Sequence, residues 1–555
     1  MSAVWLENSP AMPARRVLAL VLPELLCELA EERLLWGMAA RGKPKPPLAV
    51  LLVAGEAPTE PSRSKATDAT AVISAVNESA RRYGVRAGQT VAEGCALVAN
   101  LVVREVTAAE VTGTLGRIAE VGLSLGTTVS VEAPDTVCLD ITGSAHLQGG
   151  ESALACEFAS RVRSMGHSVR IAISDGPRLA RAFARWFTPE AADPEDRSVC
   201  VIPSARTVSA FKALPLTALP ISAETAGWFV RLGVLTIAEL AALPRQTLGS
   251  RLGEVSTQVS ELCAGRDTAP LVAHAPPRTV VEISSWDEPV TGNEPLAFVL
   301  RGLVSRVSAR LTGRGEAAQS LQLVLIYDPA IARFRGEKSE QVLRFKLAAP
   351  LHREQEMLRI ISARLSRTKL AAPTISMRLE VPKLEPAISR QLELSQVLSG
   401  VTVGAIAEDE IPVLIAELTS EVGANQVGTL EIVDAHRPEA KSRLNCSLEA
   451  FKNKPALRKA VMPSALPGTP TRLLSEPCEL HGPLRVGASL IIGLSLYSIE
   501  RVRFEQRLDA VEWWGRAPIA RDYVRLWLQG ASGGFEAVAY VDSTSGRRFL
   551  HAVAD

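Results

Sequence analysis

The chain has 555 residues, room for about three to five domains of ~100–200 residues each, so core size is not limiting. An apolar fraction of 47% with 22% charged residues excludes wholesale disorder. With 61 Lys/Arg against 60 Asp/Glu the net charge is +1, which excludes a uniformly basic coat for nucleic acid but not a local basic face.

The first strand signal is the apolar run at 16–22, RVLALVL, of a kind buried on both faces. Pro23 then opens a helical pattern ending near Arg41-Gly42. Two arginines precede this stretch, but Glu24, Glu28, Glu31 and Glu32 crowd it and no small-residue cleavage site appears, so it reads as a strand entering a helix and not as a leader. Leu48–Val53 is a second apolar strand, 54–70 is polar and irregular, and Asn77–Tyr83 is a short helix before a Gly-Val-Arg-Ala-Gly turn. Residues 129–142 alternate like a strand; Glu151–Met165, Val169–Ser174 and Pro177–Trp186 read as helix, strand and helix. Short helices broken by Pro and Gly fill 206–272. Over 280–385 two long helical patterns alternate with strands in a β-α-β-β-α-β order. Residues 382–399 read as a linker, 437–470 as loosely ordered, and 471–555 as a β-rich tail. Eight scattered cysteines hold no C-x-x-C pair, which argues against structural zinc or a disulfide framework and for reduced thiols in the cytoplasm. No apolar run is long enough for a membrane span.

Three stretches carry a resemblance. Ala80–Gly88 (ARRYGVRAG) resembles the A-R-K-F-G-V-R-S-G-M turn of the Y-family translesion DNA polymerases, Ala133–Thr142 (APDTVCLDIT) their S-I-D-E-A-Y-L-D-V-T strand, and Leu232–Leu243 their L-G-I-x-T-I-G-D-L thumb segment. The resemblance implies a multidomain α+β right hand: palm at 15–41 and 96–205, fingers at 42–95, a helix-hairpin-helix-like thumb at 206–272 and a little finger at 280–385, after an extension at 1–14. A linker (386–400), a partly ordered stretch (401–470) and a C-terminal partner-binding region (471–555) would follow.

In this family two Mg²⁺ ions held by carboxylates activate the 3′ hydroxyl and neutralise the triphosphate. Matched position by position, Ala19 stands where the first-strand Asp belongs, Asp135 matches the later Asp, and Thr136 replaces its neighbouring Glu. Pro23 and Glu24 fall at two aromatic positions, Glu78 replaces a triphosphate-contacting Tyr, and Arg81, a nucleotide-binding residue of the family, is kept. With one of three metal carboxylates left, Asp135 reads as a relic, no cofactor is expected and the chain is not expected to be an enzyme. An active translesion polymerase with a rearranged metal site, requiring Mg²⁺, stays the alternative, and a plain DNA-binding repair factor a third reading.

This departure resembles one non-catalytic branch of the family, the polymerase-like accessory subunits of bacterial mutasomes. Leu139–Glu151, Val433–Ala440 (VDAHRPEA) and Glu512–Tyr523 with Arg548–His551 match that branch. The expected partners are DNA, the β sliding clamp, an ImuA-type RecA-like protein and an error-prone replicative-type polymerase. Residues 301–370 hold fourteen Lys/Arg against six Asp/Glu. Arg301, Arg306, Arg310 and Arg314 recur at helical spacing and, with Arg344 and Lys346, are the expected phosphate-binding residues. Gln391-Leu392-Glu393-Leu394-Ser395 resembles the Q-L-x-L-F clamp peptide, with Ser395 in the aromatic's place. Trp513 and Trp514 are the expected partner-binding residues of the tail.

Overall fold

The computed structural model describes residues 15–39, 45–55, 68–187, 198–387, and most of 414–446 and 472–553. The chain divides into two compact units, Met1–Glu421 and Val422–Asp555.

The first unit opens with β1 (Val17–Val21), α1 (Leu25–Ala39), β2 (Leu48–Val53), β3 (Ala75–Val76), α2 (Glu78–Arg82), α3 (Val91–Leu97), β4 (Val102–Thr107) and α4 (Ala108–Gly122). There follow β5 (Thr128–Glu132), β6 (Thr136–Asp140), α5 (Glu151–Ser164), β7 (Arg170–Ser174), α6 (Pro177–Trp186) and β8 (Val199–Val201). Two sheets result. One has the order β3-β2-β4, the other β5-β6-β1-β7-β8, with β1 central and fully buried. The expected single strand over 129–142 is instead a hairpin: Ala133-Pro134-Asp135 turn the chain between β5 and β6, and the Ala133–Pro134 bond is cis. Proline cannot donate to a ladder and fits a turn better than a central strand.

The helices start where their caps stand. Thr90 with Glu93 and Thr107 with Glu110 form reciprocal capping boxes at α3 and α4. Leu18, Leu20 and Leu22 on one face of β1 join Leu115, Ile118, Phe158 and Val162 in a core under α4 and α5. The opposite face is packed by α6, whose Leu179 and Phe183 lie in a core with Val21 and Ala172.

Five short helices follow: α7 (Thr207–Lys212), α8 (Ala223–Arg231), α9 (Ile237–Ala241), α10 (Arg245–Leu252) and α11 (Ser256–Cys263). Ser222 caps α8 and Thr236 with Glu239 forms the capping box of α9. The next module runs β9 (Val280–Val290), α12 (Asn293–Arg314), β10 (Glu316–Tyr327), α13 (Pro329–Phe334), β11 (Glu340–Leu351), α14 (Glu354–Arg367) and β12 (Thr374–Pro386). Its sheet has the order β11-β10-β12-β9, and α12 and α14 cover one face.

The second unit pairs β13 (Thr429–Ile432) with β14 (Ser442–Asn445). Its main sheet has six antiparallel strands: β15 (Arg472–Glu479), β16 (Ser489–Ile492), β17 (Ser495–Val511), β18 (Ile519–Gly530), β19 (Gly533–Asp542) and β20 (Arg548–Val553), in the order β15-β20-β19-β18-β17-β16. Among the described residues no helix is long and apolar enough to cross a membrane.

Candidate functional site

Ala19 sits at the centre of the five-stranded sheet, opposite Cys138 on β6 and Ala172 on β7. Its side chain joins Val17, Cys138 and Ala180, with Leu271 packed against them, in a cluster closed to solvent. Burial pushes the Cys138 thiol up to about 12, so it is protonated and uncharged at neutral pH. Thr136, at the neighbouring ligand position, is fully buried, and its hydroxyl donates to Asp135 Oδ1 at 2.8 Å.

Asp135 itself is taken. Arg185 on α6 donates to its Oδ1, and Arg181, one helical turn earlier, lies 3.8 Å from the same atom. Burial and the neighbouring Arg185 lower the Arg181 pKa, as expected of two guanidiniums sharing one carboxylate. Arg81 is likewise taken: it donates to Glu24 Oε1 at 2.6 Å and to the Val76 carbonyl. Glu24, at the position of a family aromatic, thus occupies the cation expected to meet a triphosphate. Glu28 accepts from the Ser168 backbone at 2.7 Å and faces His167 Nδ1 at 2.8 Å; burial alone would raise its pKa, and these contacts hold it below the ordinary range.

A Mg²⁺ pair needs several hard oxygen ligands converging at ~2 Å. Here Asp135 is paired with an arginine, and position 19 lies in an apolar cluster. Among the described residues no group of three or more His, Cys, Asp or Glu is placed to hold a metal ion. These residues do not fit the metal pair.

The basic stretch divides in two. Arg306, Arg310 and Arg314 do not form the free phosphate-binding row expected from their spacing. Arg310 is 2% exposed and donates to Glu120 at 2.8 and 2.9 Å and to Glu282 at 2.8 Å. Arg306 lies 3.2 Å from both Glu282 and Glu32, and Arg314 lies 3.4 Å from Glu120 and 2.7 Å from Glu316. The reason is tertiary: α12 packs against α4, whose Glu120 meets the arginines. Glu120 and Glu282 were missed in the sequence; the T-x-x-E box at Thr107–Glu110 was the available signal for α4.

Arg344 and Lys346 alternate on β11 with Leu343, Phe345 and Leu347, which point into the core. They are therefore exposed on the open face of the four-stranded sheet, beside Gln322 and Ser320 of β10. Arg301 is exposed, in the first half of α12. The peptide Gln391–Ser395, and Trp513 and Trp514, lie outside the described residues.

In the second unit Glu439 meets side chains of β18 and β20. Glu439 lies 3.0 Å from Arg521 and 3.6 Å from the buried His551, among Tyr523, Tyr540 and Phe549. Burial lowers the His551 pKa, so it is neutral at pH 7.

Residues 47–185 match the model of the impB/mucB/samB family. The chain is similar to Protein ImuB of Caulobacter vibrioides, at 26% identity over 356 residues, 64% of this chain and 73% of that protein. It is also similar to DNA polymerase IV of Dehalococcoides mccartyi, at 26% identity over 191 residues, 34% of this chain and 47% of that protein. Among solved structures, an insertion ternary complex of Dbh DNA polymerase aligns with 68% of this chain and all of that one, at 13% identity and a TM-score of 0.36.

Proposed function

From a chain that carries a Y-family domain of the impB/mucB/samB kind and is similar to Protein ImuB, we propose a non-catalytic scaffold of damage-induced mutagenesis and translesion synthesis in the cytoplasm. The observation that carries this reading is the dry cluster of Val17, Ala19, Cys138 and Ala180 where a metal pair would be held. Nucleotidyl transfer needs the ions to activate the 3′ hydroxyl and to neutralise the triphosphate. The side chains here repack that surface as core and spend its remaining charges on one another, Asp135 with Arg185 and Arg81 with Glu24.

The contribution left is localisation. The open sheet face with Arg344 and Lys346 suits a duplex backbone read through phosphates. Gln391–Ser395 would tether the chain to the β sliding clamp. The C-terminal region, with Trp513 and Trp514, would recruit an ImuA-type RecA-like protein and an error-prone replicative-type polymerase. No cofactor is required in this reading.

The similarity to proteins named DNA polymerase IV favours the second reading, an active polymerase with a rearranged metal site. Primer extension by the purified chain with Mg²⁺ or Mn²⁺ separates the two. The expected result is no templated incorporation. Extension abolished by Asp135→Ala overturns the scaffold reading.

A further inference from the structure

Between α11 and β9 the chain lies along the five-stranded module. Asp267 Oδ2 accepts from the backbone of Arg178 at 2.6 Å and of Leu179 at 3.2 Å, which caps α6 from 88 residues away. The Ala269 carbonyl accepts from Arg15 at 3.2 Å. Leu271 packs on the Ala19 and Cys138 cluster, and the His274 amide donates to the Val129 carbonyl of β5 at 2.7 Å. This strap leads directly into β9 and so sets where the four-stranded module sits.

That module then meets α4 through charge. Arg310 lies between Glu120 and Glu282, each about 1% exposed. At Gly313 an added Cβ would come within 2.2 Å of the Glu120 carbonyl oxygen, so the two helices touch backbone to backbone. A cavity of about 230 Å³ opens beside this contact; its lining includes Glu282 and Arg306 but neither Arg310 nor Glu120. Ala309 of α12 adds an apolar contact, packing against the core that holds Leu18, Leu20 and Leu115. Buried ion pairs give specificity of fit more than net stability, because desolvation offsets most of their attraction. The arginine–carboxylate pairs of this interface have a natural competitor in the phosphates of a duplex, which bind guanidinium in the same bidentate way.

We propose that the strap and the Arg310 clasp form an intramolecular lock, with Leu271 seated on the site of the missing carboxylate, that withholds Arg306, Arg310 and Arg314 of α12 from DNA until it opens. The lock goes beyond the scaffold reading and does not depend on whether the chain polymerises.

The test uses the full chain with Glu120→Gln and Glu282→Gln together, which keep shape and remove the competing charges. Amide exchange in α4 and α12 is expected to quicken at least tenfold. Affinity for a random-sequence duplex should rise, and the dependence of log K on log salt should steepen by about 0.9 for each phosphate the freed arginines meet. Should that variant fail to fold, Leu271→Asp, at a half-buried position, releases the strap alone; the His274 amide is then expected to exchange at least tenfold faster, with DNA affinity rising. Faster exchange without a gain in DNA affinity overturns the competition with DNA, and unchanged exchange overturns the lock. Loss of DNA binding on replacing Arg344 and Lys346 bears on the scaffold reading alone.

Discussion

At position 19 a methyl group, not a carboxylate, faces Cys138 and Ala180 in a space closed to water. Ala19→Asp would bury an unpaired charge there, a cost of several kcal/mol that a protein meets by raising the carboxyl pKa or by loosening the site. Ala19→Asp with Thr136→Glu is therefore expected to lower the urea midpoint clearly and still give no Mg²⁺-dependent primer extension, because Arg185 keeps Asp135 and α6 keeps the sheet face. Asp135→Asn tests the other half. The pair is partly exposed, at 23% for Asp135 and 33% for Arg185, so its loss should cost about 1 kcal/mol or less in denaturation and leave damage-induced mutagenesis unchanged. The apolar character of position 19 was legible in the sequence, inside the run RVLALVL. That Arg181 and Arg185 hold Asp135 was not, since they arrive from a helix some fifty residues on.

On the scale of elements, α12 shows what periodicity can and cannot reveal. Its length and apolar rhythm were evident, but arginines at helical spacing read the same on a solvated face as on a seam against another helix. What covers a helix is decided by tertiary packing, and here the cover is α4, absent from the sequence reading. The β-α-β-β-α-β order was legible because long strands and helices alternate with distinct periods; α13 is an added turn between β10 and β11. Two glycines of α12 give an internal control for the seam. Gly302 is exposed, and an added Cβ meets only the tip of the Arg306 side chain at 3.9 Å, so Gly302→Ala should stabilise by about 0.5–1 kcal/mol through helix propensity. Gly313→Ala should instead destabilise by about 1–3 kcal/mol, since backbone atoms of Glu120 and Val121 stand in the way. Opposite signs on one helix, read by thermal denaturation, would locate the seam without any DNA; equal gains at both would mean that α12 does not lie against α4.

For the first unit as a whole, the acidic side chains that join its modules predict how it responds to pH. Glu282 faces Arg306 and Arg310 of α12 and Arg117 of α4, with Glu120 sharing the Arg310 guanidinium. Burial alone would raise the Glu282 pKa, but the three guanidiniums outweigh it and hold the carboxyl below its ordinary 4.5. Glu28, tied to His167 and Ser168, is lowered in the same sense against its own burial. A carboxyl whose folded pKa lies below the unfolded one contributes stability that is complete above the unfolded value and is lost as pH falls through the folded one. Both contributions should therefore be intact at pH 6–7 and drain away below about 4.5, because the unfolded chain takes up the protons first. Melting temperature followed from pH 7 to pH 3 is expected to stay nearly level and then fall. Glu282→Gln removes one of these carboxyls, and its curve should start lower at pH 7 and descend less steeply below 4.5. Parallel curves for the two proteins would show that Glu282 has the same affinity for protons folded and unfolded, and that the charges on α12 do not hold it.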